Sequence, residues 1–370
     1  MSSADRTLQA KMNRKTLVFI FILLLASVFR LNHLDWGLPN EYHPYSYHPD
    51  EAKQLDSIAN MDPTELDFNP DEFIYPSLQY YINAFALLTA KTVGYAKIIP
   101  DISFYIANPN ELAKLFYVGR LVTALFGIAT VLLVFFIGRR LYNEEAGFIA
   151  AAIMAILPIH IIHSHYMTVD VPLTFWITLT LFFSTYILKE DKWWPYILAG
   201  LSAGFATATK YPGVFAWLFV VGAHMLRRYV EEENTQSVKS SPPHIQPFHT
   251  LSQISLLEKK LIISGLFLVL AFLLASPYVF IDYQHSIPAI TGQWNLAKTA
   301  VMDNLGGNGF QYHPIIYPLV AALPFLFGIP LYLLLLYALI NNFKNARTQF
   351  MLLLSVTVPF FFLFATSKLA

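Results

Sequence analysis

The chain has no cysteine, which excludes disulfides, thiolate catalysis and cysteine-ligated metal sites at once. Charge is scarce as well: 13% of its 370 residues are charged, where a soluble domain carries about a quarter. The 24 basic and 24 acidic residues cancel to a net charge of +0, so there is no global basic field to attract nucleic acid. Internal repeats, coiled-coil heptads and low-complexity tracts are missing too. What fills the chain is hydrophobic (56%) and aromatic (16%). That composition predicts an all-α polytopic membrane protein with aromatic residues at its interfaces.

Hydropathy and basic clusters then set the topology. Lys11, Arg14 and Lys15 precede the apolar run 16–31, and Arg30, Asn32 and His33 follow where a signal peptide would carry a small-residue cleavage site. The run reads as an uncleaved first span with its amino end in the cytoplasm. Residues 32–111 form a large first outer loop. Its moderately apolar part, 73–99, is interrupted by Lys91 and Lys97 and reads as helices lying on the outer interface. Further spans are expected at 112–137, 146–162 and 169–188. Residues 195–226 would extend roughly 45 Å as one helix, against a hydrocarbon core of about 30 Å. They therefore read as two segments broken at Lys210-Tyr211-Pro212-Gly213. A cytoplasmic loop at 227–259, a span at 260–281, a second outer loop at 282–313 and spans at 314–340 and 349–366 complete about nine spans. This alternation leaves Arg139-Arg140 and Arg227-Arg228 inside.

The same alternation brings ionisable groups from separate loops to the outer face. They are Asp50 and Glu51 after the first span, Asp170 after Ser164-His165-Tyr166-Met167-Thr168, Lys210 at the broken segment, and Asp282 with His285. Such residues at membrane level are expensive to place and mark function by default. Each also has a plainer reading. Asp50-Glu51 could be a solvated loop or a helix N-cap, and Asp170 could cap the span that Pro172 begins. Lys210 could snorkel to the headgroups instead of meeting a lipid phosphate. His160, His163 and His165 lie near the outer end of a span. With His48 and Asp50 they contain the ligand types of a zinc site, although interfacial histidines also bind lipid phosphate or water.

Several motifs occur together and in order: His48-Pro49-Asp50-Glu51, Tyr75-Pro76-Ser77-Leu78-Gln79-Tyr80-Tyr81, Gly119-Arg120-Leu121, Ser164 through Leu173, and Ala208-Thr209-Lys210-Tyr211. As a set they resemble the GT-C superfamily of glycosyltransferases, family 39. That family includes protein O-mannosyltransferases and lipid A aminoarabinose transferases. The resemblance implies an inverting enzyme of the plasma membrane (a bacterial or archaeal cytoplasmic membrane) with its active site on the outer face. Its donor would be a polyprenyl- or dolichyl-phosphate-linked sugar, and its acceptor a hydroxyl of a protein, lipid or glycan. Asp50, Glu51 and Asp170 match the family's catalytic acids. Lys210, His165 and Tyr211 fall at donor-binding positions. A divalent cation is a possible cofactor, with His48, His163 and His165 as its candidate ligands. The match departs at Ile74-Tyr75-Pro76-Ser77, where aminoarabinose transferases place Glu-Lys before a Pro-Pro pair. Relatives also continue beyond a lysine like Lys368, so the chain reads as shortened at its carboxyl end. The absence of a Rossmann-type glycine fingerprint agrees with a lipid-linked rather than a nucleotide-linked donor. The rival readings are a transporter or lipid flippase, which would carry internal repeats and midplane charges, and a non-catalytic assembly factor.

Overall fold

A computed structural model describes residues 3–238, 259–299, 329–345, 348–349 and 351–355. Among them no strand is found, only helices and two isolated bridges. The chain divides into two compact units. The glycine-rich stretch 306–309 and most of the expected last span, 349–366, lie outside the described residues, as does much of the expected loop 227–259.

The first unit comprises residues 1–71 and 77–178. Helix α1 (Ser3–Leu31) packs on α5 (Pro109–Leu141) and α6 (Glu144–Ile156). Ile22, Ala26, Val131, Phe135, Ala151 and Ala155 form their shared core. Small residues bring these backbones close: a Cβ on Gly138 would lie 2.9 Å from the Cα of Gly147. The α5–α6 turn is sealed by Asn143, whose side chain caps α6 by accepting the Ala146 N–H at 2.8 Å. Pro158 ends α6, because its nitrogen has no hydrogen for the helical ladder. The short α7 (Pro158–His163) follows, so the expected span 146–162 is interrupted near its outer end.

Between α1 and α5 the first loop holds three helices: α2 (Pro49–Ala59), α3 (Leu78–Thr92) and α4 (Ile102–Ala107). Helix α3 buries the amides of Gln79 and Asn83 and exposes Phe85 and Leu88. Gln79 Nε2 donates to Asn83 Oδ1 at 3.0 Å, and Asn83 Nδ2 donates to Gln54 Oε1 on α2 at 3.3 Å.

The second unit comprises residues 72–76 and 179–370. Helix α8 (Asp170–Ile187) starts in the first unit and ends here. Helices α9 (Trp193–Thr209) and α11 (Lys259–Ala275) pack closely. A Cβ on Gly200 would lie 2.2 Å from the Ser264 carbonyl oxygen, and one on Gly204 2.4 Å from that of Leu268. The small residues Gly200, Ala203 and Gly204 therefore serve the approach expected of them. Chain 195–226 is broken where expected, with α9 ending at Thr209, a 3-10 turn over Tyr211–Ala216 and α10 (Trp217–Val238) beyond. Gly213 sits against the Ala206 carbonyl, where a Cβ would come within 2.2 Å. Helix α10 runs further into 227–238 than the expected loop. That stretch is rich in Glu and reaches no proline before Pro242, so nothing in it breaks a helix. Asp191, in the α8–α9 turn, forms ion pairs with Arg227 of α10 and Lys260 of α11. Helix α12 (Tyr278–Ile281) closes the expected span 260–281, α13 (Tyr283–Thr299) occupies the first part of the expected second outer loop, and α14 (Ile329–Asn345) follows.

Among the described residues two helices are long and apolar enough to cross a membrane, Pro109–Leu141 and Asp170–Ile187.

Candidate active site

Helix α2 places its acids by its own geometry. Pro49 occupies the first helical position, and His48 caps the end, its Nδ1 accepting the Asp50 N–H at 3.3 Å. Asp50 and Glu51 both fall in the first turn, where the helix dipole favours negative charge. Successive helical residues point about 100° apart, so the two carboxylates diverge. Glu51 turns inward and Asp50 outward.

Glu51 is fully buried and fully engaged. Arg120, one-third of the way along α5, donates through Nε to Oε1 and through Nη2 to Oε2, each at 2.7 Å. The Met167 N–H donates to Oε1 at 2.8 Å, and the Ser46 hydroxyl donates to Oε2. Arg120 Nη1 spends its remaining hydrogens on the carbonyls of Leu34 (2.9 Å) and Trp36 (2.6 Å). The guanidinium also lies over the Tyr166 ring, 5.6 Å from its centroid, and that ring packs on His48 at 4.6 Å. Burying two charges costs several kcal/mol each unless they are paired and their hydrogen bonds are met. Here both conditions hold. One ion pair thus ties the chain after α1, the start of α2, helix α5 and the 164–168 segment together. Gly119 is part of the fit, since a Cβ there would lie 2.2 Å from Met167 Sδ.

Asp50 is half-buried. Its carboxylate has no hydrogen bond and no ion pair among the described residues.

The 164–170 segment carries Asp170 as the first residue of α8, where its carbonyl accepts the Thr174 hydroxyl at 2.8 Å. His165 is tethered through both ring nitrogens, Nδ1 at 2.8 Å from the Ile161 carbonyl and Nε2 at 2.9 Å from that of Asn32. Beneath the segment lies a second buried cation. Arg30 donates to the carbonyls of Met154 (2.8 Å) and Ala155 (2.9 Å), and contacts His160 Nδ1 at 3.0 Å. The Met154 carbonyl is the one that Pro158, lacking an N–H, cannot satisfy. Arg30 thereby repairs the helix break and holds His160 in place.

Lys210 and Tyr211 belong to the second unit, as does the loop segment Glu72–Pro76. The Lys210 ammonium stands 5.5 Å from the centroid of the Tyr75 ring, and the Tyr211 hydroxyl donates to the Phe73 carbonyl at 3.0 Å. At the point where the sequence departs from the aminoarabinose transferases, an aromatic face thus receives the lysine.

The structure therefore gathers Asp50, Glu51, His48 and the 164–170 segment within one unit, and Lys210 with Tyr211 in the other. Arg120 and Arg30 were not singled out as site residues from sequence. The signal was available: a lone arginine inside an apolar helix requires a buried partner. Among the described residues no group of three His, Asp or Glu side chains is placed to hold a metal ion.

Comparison with known proteins bears on this geometry. Residues 90–241 match the family of dolichyl-phosphate-mannose-protein mannosyltransferases. The resemblance read from the motifs is to this family. The matched stretch contains Arg120, Asp170 and Lys210, while Asp50 and Glu51 precede it. No curated protein matches the chain. Among solved structures, the crystal structure of the Archaeoglobus fulgidus oligosaccharyltransferase, in complex with Zn and sulfate, is similar at 14% identity and a TM-score of 0.40. The alignment covers 93% of this chain and 48% of that one, so the chain spans about half the length of that relative.

Proposed function

We propose that this protein is an inverting glycosyltransferase that moves a sugar from a polyprenyl- or dolichyl-phosphate carrier to a hydroxyl acceptor at the outer face of the plasma membrane. The observation that carries this reading is the division of labour between adjacent acids. Glu51 is locked to Arg120 on both oxygens, whereas the Asp50 carboxylate is unengaged. In the proposed step Asp50 takes the proton of the acceptor hydroxyl. That oxygen forms a bond to the anomeric carbon as the bond to the phosphate oxygen breaks, and the electron pair leaves on the lipid phosphate. Attack from the face opposite the leaving group inverts the centre, as in inverting glycosidases. Glu51 and Arg120 act as positioning residues that hold α2 at its angle. Within the first unit, His165 would serve the donor, and Asp170 would orient the neighbourhood of Asp50 or bind the acceptor; within the second, Lys210 beside Tyr211 would offer a cation to a lipid phosphate.

The test is to incubate membranes bearing the protein with labelled polyprenyl-phosphate sugars and follow sugar release or transfer. Asp50→Asn should abolish both while leaving expression intact. Near-normal turnover by that variant would overturn the role of Asp50, and no turnover by the parent protein with any lipid-linked sugar would favour a transporter or flippase.

A further inference from the structure

The stretch between α1 and α2 carries an unusual set of exposed rings. Tyr42 is 96% exposed, Tyr45 65%, Trp36 61% and Tyr47 56%. Three of them are connected: Trp36 meets Tyr47 edge-on at 5.3 Å, and His43 contacts Tyr45 at 4.4 Å and Tyr47 at 4.2 Å, with Tyr42 on the same loop. Exposed rings on a mobile loop would need no account, but this backbone is locked. Asn40 and His43 exchange backbone hydrogen bonds at 2.7 and 3.1 Å, and the Asn40 side chain accepts the Tyr42 N–H at 2.9 Å. Gly37 adopts a φ of +67°, with the Tyr47 ring where a Cβ would be. Arg120 holds the carbonyls of Leu34 and Trp36 from below. The backbone that carries the rings is therefore held in place, which lowers the ordering cost of binding.

Charge decides what the patch suits. No lysine or arginine occurs between Leu31 and Ala52, whereas Asp35 and Glu41 are exposed within it. A surface built for phosphate, whether of a lipid headgroup or of the donor carrier, would carry cations. One built for a neutral polyol needs aromatic faces for its C–H groups and carboxylates for its hydroxyls. The patch lies directly before Asp50 in the chain, and Ser46 at its end bonds Glu51.

We infer that the 35–47 loop is the acceptor platform, and that the acceptor it takes is a neutral saccharide. This rests on the transferase reading given above. The variant to use is Tyr42→Ala with Tyr45→Ala, because these two rings take no part in holding Gly37 and the loop should keep its shape. With the full-length protein in nanodiscs, binding of α-mannotetraose and maltotetraose is measured by intrinsic fluorescence, with no turnover required. Separately, hydrolysis of the lipid-linked donor and transfer to these saccharides or to a serine-containing peptide are measured. The double variant should weaken saccharide binding and raise the KM for saccharide transfer about tenfold, given the worth of two aromatic contacts, with donor hydrolysis unchanged. Saccharide affinity equal in parent and variant would overturn the platform. Peptide transfer that exceeds saccharide transfer and falls in the variant would overturn the saccharide assignment. If donor hydrolysis fails in the parent while saccharide binding still depends on Tyr42 and Tyr45, the transferase reading falls and the platform stands.

Discussion

Asp50 and Glu51 show how one bond of chain separates two chemistries. Both are acids in the first turn of the same helix, yet one is buried on Arg120 and the other is unengaged. They should therefore fail differently on mutation. Asp50→Asn should lose transfer with no change in thermal stability, read by paired activity and melting measurements. Arg120→Ala leaves Glu51 buried without its partner, and breaking such a pair costs about 3–5 kcal/mol. A lowered melting temperature with lost activity is expected there, and a variant as stable as the parent would contradict the positioning role. The sequence made the adjacent acids conspicuous, but the assignment of inward and outward needed the helix phase and the identity of the partner. Arg120 lies 69 residues from Glu51 along the chain, a separation over which no local pattern operates.

Helix contacts in this protein are made by the absence of side chains. Gly204 faces the Leu268 carbonyl at a distance that admits no Cβ, whereas the nearest atom to a Cβ on Gly265 would be 3.5 Å away. Gly204→Val should destabilise the α9–α11 pair by about 1–3 kcal/mol or more. Gly265→Ala should be neutral or stabilising by up to about 1 kcal/mol. Thermal unfolding in one detergent reads both, and equal effects would refute the packing account. The turn between α8 and α9 adds a pH dependence. The Lys260 ammonium, and then Arg227, hold the exposed Asp191 carboxyl below its ordinary range. A folded-state value that is depressed stabilises above the unfolded value and is lost as pH falls through the folded one. Asp191→Asn should therefore destabilise the protein at neutral pH, and the gap to the parent should close only in acid below the ordinary carboxylate range. A gap that persists there would point to packing instead. The break at Lys210 was legible because proline and glycine act locally. The break at Pro158 could have been read the same way, but its repair by Arg30 could not.

For the whole molecule, the missing cysteines offer a direct test of the proposed topology. Glu65→Cys in the first loop should react with an impermeant maleimide on intact cells, and Glu145→Cys should react only after permeabilisation. The reverse pattern would place the acids of α2 on the inner side and remove them from an outer-face reaction. Among the described residues two helices meet the length and hydropathy of a span. The expected span 146–162 is interrupted at Pro158 and the stretch 195–226 at 210–213, where proline and glycine break apolar stretches that a hydropathy window averages over.

Composition and spacing by themselves determined that the chain is helical, that it is built for a membrane, and that its acids stand apart from its apolar bulk. These properties follow from the cost of charge in hydrocarbon and from the period of a helix, which are summed along the chain. Only the tertiary structure decided which acid is paired and which is open, and that Lys210 rests on Tyr75. His165 likewise engages two backbone carbonyls, and His160 an arginine. A buried charge needs a partner, but the sequence does not say which one, because the partner is chosen by where the helices cross.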